Sequence, residues 1–151
     1  MSGAGRGHRN RSAASVLLVL VALLGLSAAG CAGPAVTDQR LATSVGLSFQ
    51  RLYVQQQNEL GHDVARPDRA ATCLRTGSSA LTGAGNWACT VHFPFPDGHV
   101  EPATFDVDVS PVGCYTATGP PSVTGALTLT TPAGTSVTNP LYAFDGCFPT
   151  R

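Results

Sequence analysis

The chain has 151 residues, with nine Arg, no Lys, nine acidic residues and a formal charge of zero, and that length suits one domain with one core. Three of the Arg (Arg6, Arg9, Arg11) fall in the first thirty residues, so six Arg face nine Asp and Glu in the remainder, a net charge of −3. A mildly acidic domain without a basic stripe lacks the footprint that phosphate backbones require, which argues against a nucleic-acid partner.

Residues 1–15 are polar and carry those three Arg, and they run into an unbroken apolar stretch from Val16 to Leu26. A cationic segment before a short apolar one reads as a signal peptide. The run is well short of the ~20 residues that a bilayer-spanning helix needs. Leu26-Ser-Ala-Ala-Gly-Cys31 follows it. Small residues ahead of a cysteine resemble the lipobox of bacterial lipoprotein precursors, although Ala28 stands where that motif most commonly has Leu. The resemblance implies a diacylglyceryl group on Cys31 and cleavage before it. Residues 1–30 are then a signal peptide, 31–36 a lipidated cysteine with a short tether, and 37–151 a single extracytoplasmic domain. The alternative is ordinary signal-peptidase cleavage after Ala29, with Ser27 and Ala29 as the small residues, releasing a soluble secreted protein.

From Thr37 to Leu60, Leu41, Val45, Phe49, Leu52 and Leu60 recur with helical spacing. Thr37 or Asp38 is placed to cap this helix, and Gly61 to stop it. Beyond His62 the chain breaks into short β-branched runs. Ala70–Arg75 is the first, and a Gly/Ser/Thr-rich loop from Thr76 to Gly85 precedes the second, Asn86–Phe93. Trp87, Cys89, Val91 and Phe93 alternate onto one side of that second run. After a Pro96-Asp97-Gly98 turn, Ala103, Phe105, Val107 and Val109 do the same in a third. Matching the apolar faces predicts Val91 opposite Phe105 and Cys89 opposite Val107.

Pro111-Val112-Gly113 is a three-residue connection to a fourth run, with Val109 expected opposite Tyr115 and Val107 opposite Ala117. That leaves Cys114 on the other face. Ala126–Thr130 is a candidate fifth strand. Gly119-Pro-Pro-Ser122 and Pro132-Ala-Gly-Thr135 read as loops, and Tyr142, Phe144 and Phe148 as aromatics that cover one end of the core. The fold expected is α+β: one N-terminal helix on a four- to five-stranded antiparallel meander sheet with two disulfides.

Five cysteines is an odd number, and assigning Cys31 to lipid leaves four for an oxidising compartment. Their spacing favours Cys73 with Cys89 and Cys114 with Cys147. A four-cysteine zinc site needs close C-x-x-C pairs, and none occurs. No zinc-hydrolase histidine pair or G-x-S-x-G elbow is present, and Gly83-Ala-Gly85 precedes a strand where a phosphate loop needs a helix. No cofactor is expected. The weak candidates for a metal or catalytic group are His92, Asp106 and Asp108, which the expected register places on the face away from the core; the competing reading is a solvated strand face. Phe95 and its flanking prolines form either an exposed apolar knob or local packing.

Together, the Cys31 motif, Trp87-Ala-Cys89, Phe105-Asp-Val-Asp-Val109, Gly113-Cys114-Tyr115 and Phe144-Asp-Gly-Cys147 resemble the small exported lipoproteins of Actinobacteria. The resemblance implies a protein tethered by lipid to the outer face of the cytoplasmic membrane, and carries over no catalytic residue. The expected function is non-enzymatic binding of an envelope protein or small ligand. The alternative is a metal-dependent or enzymatic domain built on His92, Asp106 and Asp108.

Overall fold

A computed structural model describes residues 36–149; Cys31 and the segment before it lie outside the described residues. The periodic segment forms α1 (Asp38–Glu59). Thr37 caps it, its Oγ1 accepting the Arg40 N–H at 3.3 Å, and Asp38 sets a carboxylate in the first turn where the helix dipole favours one. Gly61 ends the helix in a left-handed conformation, φ 80°. The buried stripe is Leu41, Val45, Gly46, Phe49, Tyr53, Gln56 and Gln57, with Leu52 half-buried beside it. Gly46 belongs to that stripe because a Cβ there would lie 1.9 Å from the Arg69 carbonyl oxygen.

The sheet that receives this stripe is antiparallel, and its strands, in order across it, are β1 (Ala71–Arg75), β2 (Gly85–Pro94), β3 (Val100–Val109), β4 (Cys114–Thr118) and, from the tail, β7 (Ala143–Cys147). Alternation decides which face is inside: Trp87, Cys89, Val91 and Phe93 of β2 are buried, with Ala103, Phe105, Val107 and Val109 of β3 and Tyr115 and Ala117 of β4. The helix covers this face, and Phe49 packs 6.1 Å from Phe93 and 6.3 Å from Phe105 between ring centroids.

The β2–β3 register differs from the one expected. Cys89 lies opposite Phe105, Val91 opposite Ala103 and Trp87 opposite Val107, a displacement of two residues. An apolar pattern of period two settles only which face points inward, so a two-residue slide leaves it intact. The turn decides between those registers. Phe95 N–H donates to His99 O, Gly98 N–H donates to Phe95 O, and Gly98 has φ 90°. This is a three-residue turn with a left-handed glycine at its last position.

The same bonds recur at Ser110-Pro-Val-Gly-Cys114, where the expected pairs Val109–Tyr115 and Val107–Ala117 form. They recur again at Thr131-Pro-Ala-Gly-Thr135. Pro132–Thr135 is therefore the turn of a hairpin between β5 (Thr128–Thr130) and β6 (Ser136–Thr138). These two strands form a small sheet of their own, so the Ala126–Thr130 segment does not join the main sheet. The fifth strand of the main sheet is β7, from the tail. Of Gly119–Ser122, expected as a loop, Pro121 and Ser122 instead begin a single helical turn, α2 (Pro121–Thr124), with proline at its start.

Both expected disulfides form between residues directly opposite on neighbouring strands, Cys73 with Cys89 and Cys114 with Cys147. The first is inside the core; the second lies on the other face, with Cys147 exposed. By chain entropy they stabilise the fold by ~3 and ~4 kcal/mol. Phe144 and Phe148 close the β7 side of the core as expected of the tail aromatics, whereas Tyr142, expected with them, is only half-buried and stays outside the core.

The excursion from Gly119 to Tyr142 is pinned by buried amides. Asn139 is fully buried: Nδ2 donates to the carbonyls of Thr124 (2.8 Å) and Ala126 (2.9 Å), and Oδ1 accepts from Gln56 Nε2 (2.8 Å) and the Leu141 N–H (3.0 Å). Gln56 Nε2 also reaches the Thr124 carbonyl at 2.7 Å, and Gln57 Nε2 donates to Gln56 Oε1.

Two outcomes are expected. Gly46→Ala would favour an isolated helix by ~1 kcal/mol, yet here it should destabilise the protein by ~1–3 kcal/mol because the Arg69 backbone must move. Asn139→Ala should cost ~2–4 kcal/mol, since it removes the partner of the Ala126 carbonyl and of the Leu141 N–H and leaves Gln56 Nε2 with the Thr124 carbonyl alone. Urea unfolding monitored by the fluorescence of Trp87 measures both.

Candidate functional site

One helix covers one face of the sheet, and the opposite face carries the surface polar groups. Inward positions are apolar, so the alternate positions of β2, β3, β4 and β7 point outward: Asn86, Thr90 and His92; Thr104, Asp106 and Asp108; Thr116 and Thr118; Asp145. Thr90 and Thr104 join hydroxyls across strands at 2.8 Å.

Pairing places Asp106 between Ala88 and Thr118, and Asp108 between Asn86 and Thr116, with Asp145 on the far side of Thr116. Asp108 and Asp145 are therefore two strands, about 10 Å, apart. A shallow hollow of about 380 Å³ lies among Thr76, Asn86, Asp106, Asp108, Thr116 and Thr118. Its walls offer hydroxyls, one amide and two carboxylates, which suits polar or cationic groups better than apolar ones.

His92 does not join this group. It lies opposite Pro102, four residues before Asp106, which puts it about 13 Å away along the strand. The two-residue displacement of register accounts for part of that separation. Among the described residues no three His, Cys, Asp or Glu side chains are grouped so as to hold a metal ion. Asp106 and Asp108 share one face as expected, but Asp145 and the two threonines of β4 were not foreseen beside them. The alternation of Thr116 and Thr118 with Tyr115 and Ala117 was visible in the sequence; the docking of β7 depends on a contact across some thirty residues.

A second constellation sits on the Phe95–His99 turn. Phe95 is half-buried, packed 5.1 Å from Phe93 and stacked on the His99 ring at 4.2 Å between centroids, so it is local packing more than a free knob. His99 Nδ1 lies 2.5 Å from Asp97 Oδ1 and its Nε2 lies 3.4 Å from Glu101 Oε1. The hydrogen bond from His99 holds the Asp97 carboxyl below the usual carboxylate range. The same bond to Asp97, helped by the charges of Asp97 and Glu101, raises the His99 imidazole above its ordinary value. The imidazole stacks on a phenyl ring and is exposed, with nothing nucleophilic beside it, so this arrangement stiffens the turn and lacks the parts of a catalytic pair.

No protein family, curated protein or solved structure matches this chain.

The tip has a defined pH response. The His99 contribution is complete below the imidazole's unfolded value and is lost as pH rises through the raised folded value. The Asp97 contribution is present above the carboxyl's unfolded value and is lost as pH falls through the lowered one. The contact should be fullest between about pH 4 and pH 6.5. NMR titration should show His99 protonating above the ordinary imidazole range and returning to it in Asp97→Asn; an unchanged midpoint in that variant would refute the pairing.

Proposed function

We propose that this chain is a lipid-anchored domain of the bacterial cell envelope. Acylated Cys31 would hold it on the outer face of the cytoplasmic membrane, where it binds a protein or small polar ligand without catalysing a reaction. The observation that carries this reading is the pairing of Cys73 with Cys89 and of Cys114 with Cys147. Disulfides persist in oxidising compartments, and with four cysteines joined in pairs, Cys31 remains for the lipid chemistry that Ser-Ala-Ala-Gly before it implies. Two or three acyl chains make attachment effectively stable where one would be reversible.

The binding surface in this reading is the open sheet face. A rigid, disulfide-held sheet presents fixed hydroxyls and carboxylates at little entropic cost on association. Asp106, Asp108 and Asp145 favour a partner with ammonium or guanidinium groups.

Intact mass measurement of the native protein is expected to show a chain beginning at Cys31 with the added mass of its acyl groups. A chain beginning at Gly30 and carrying no lipid would replace this reading with secretion. The detergent-solubilised protein should bring down a specific envelope partner, which an Asp106→Asn, Asp108→Asn double variant loses without a change in Tm.

A further inference from the structure

The two ends of the domain differ in charge. At one end lie Val36, where the described chain begins, the loop between β1 and β2, the Ser110–Cys114 turn and the tail at Phe148. Hydrogen bonds tie these segments together: Gly83 N–H donates to the Val36 carbonyl, Phe148 N–H to the Gly113 carbonyl, and the Arg75 guanidinium to the carbonyls of Thr82 and Ala84. Residues 76–85, 110–114 and 146–149 contain no Asp, Glu, His, Arg or Lys. The charges at this end are Arg75, Asp38 and Arg40, the last reaching from the first turn of α1 to donate to the Pro149 carbonyl.

At the other end, the close of α1 and the β2–β3 turn carry Glu59, His62, Asp63, Asp97, His99 and Glu101.

Apolar exposure is biased in the opposite sense. Leu81 (84% exposed), Val112 (69%) and Leu74 (68%) are the most exposed large apolar side chains among the described residues. Leu81 and Val112 project from the two uncharged loops, and Leu74 is the neighbour of Arg75 at the same end of β1. None of the three has a core to fill.

We propose that this end, whose loops bear no ionisable side chain and whose two neighbouring guanidinium groups are tied to loop carbonyls, is a membrane-contact surface, seated on the phospholipid bilayer with Leu81 and Val112 entering the headgroup region. The seating presupposes the acyl anchor on Cys31. Four residues separate Cys31 from Val36, a span of at most about 17 Å, so an acylated sulfur brings this end to the bilayer ahead of the other. An interface favours apolar side chains on segments free of charge, because no ion has to shed water there. A domain with net charge −3 gains nothing from anionic lipid by long-range attraction, so contact here depends on the anchor and on these side chains. The strands then stand along the membrane normal, with the Phe95–His99 turn about 34 Å out and the Asp106–Asp108 face upright and open to the periphery.

The test uses the full lipidated chain in vesicles of phosphatidylcholine and phosphatidylglycerol with brominated acyl chains. Leu81→Trp, Val112→Trp and Val100→Trp are compared, with the Trp87 signal removed by reference to the unsubstituted chain. All three positions are exposed, so tryptophan adds no strain to the core. Bromine should quench the Trp at 81 and at 112 severalfold more than the Trp at 100. Equal or reversed quenching in protein whose acyl chains are confirmed by mass overturns the seating and leaves the anchor standing. A chain without acyl groups that stays in the supernatant overturns both.

Discussion

The structure depends on how its hairpins turn. Three times the chain reverses through a Pro-x-Gly triplet, at Pro96–Gly98, Pro111–Gly113 and Pro132–Gly134, closed each time by the same pair of backbone hydrogen bonds. Proline presets φ for the first turn position, and the glycine takes the left-handed conformation that a Cβ would oppose. Because the turn fixes which residues face each other, it decides that Cys89 meets Phe105, while Cys73 meets Cys89 from the other side of β2. A slide of two residues between β2 and β3 would keep every apolar side chain inward and still break the pairing of Cys89 with Phe105.

Coverage of the sheet follows from there being one long helix among the described residues. The stripe from Leu41 to Tyr53 buries one face, and nothing among the described residues buries the other. The uncovered face remains soluble because its alternate positions are threonine and aspartate, which hydrate well and still suit a pleated strand in the case of threonine. The excursion between β4 and β7 adds no layer to that face. It folds against the end of α1, where Asn139 and Gln56 satisfy each other and the Thr124 carbonyl, replacing hydrophobic packing with a directional amide cluster.

These features give the domain three distinct surfaces: a covered face, an open polar face, and an end beside the start of the described chain whose loops carry no ionisable side chain. Under the proposed anchor, the last would rest on lipid and the second would face outward for a partner. The His99 tip is then the part farthest from the membrane, and its bonds to Asp97 and Glu101 keep it rigid rather than reactive.

Local patterns carried much of this in the sequence. The spacing of Leu41, Val45 and Phe49 specifies the helix, Thr37 or Asp38 its start, alternation in Trp87–Phe93 and Ala103–Val109 the inner face, and cysteine spacing the two bridges, because each rests on periodicity or on neighbours close along the chain. The central register was legible too, in the Pro-x-Gly triplet at 96–98, which obeys the rule that correctly placed Val109 opposite Tyr115. Alternation alone missed it because it has period two. Cysteine spacing brought the tail to Cys114; what tertiary structure alone decided is that the tail pairs with β4 as a full strand and that Asn139 partners Gln56. Each joins residues whose relation depends on how separate elements pack, and no pattern of neighbours along a chain encodes the free energy of that packing.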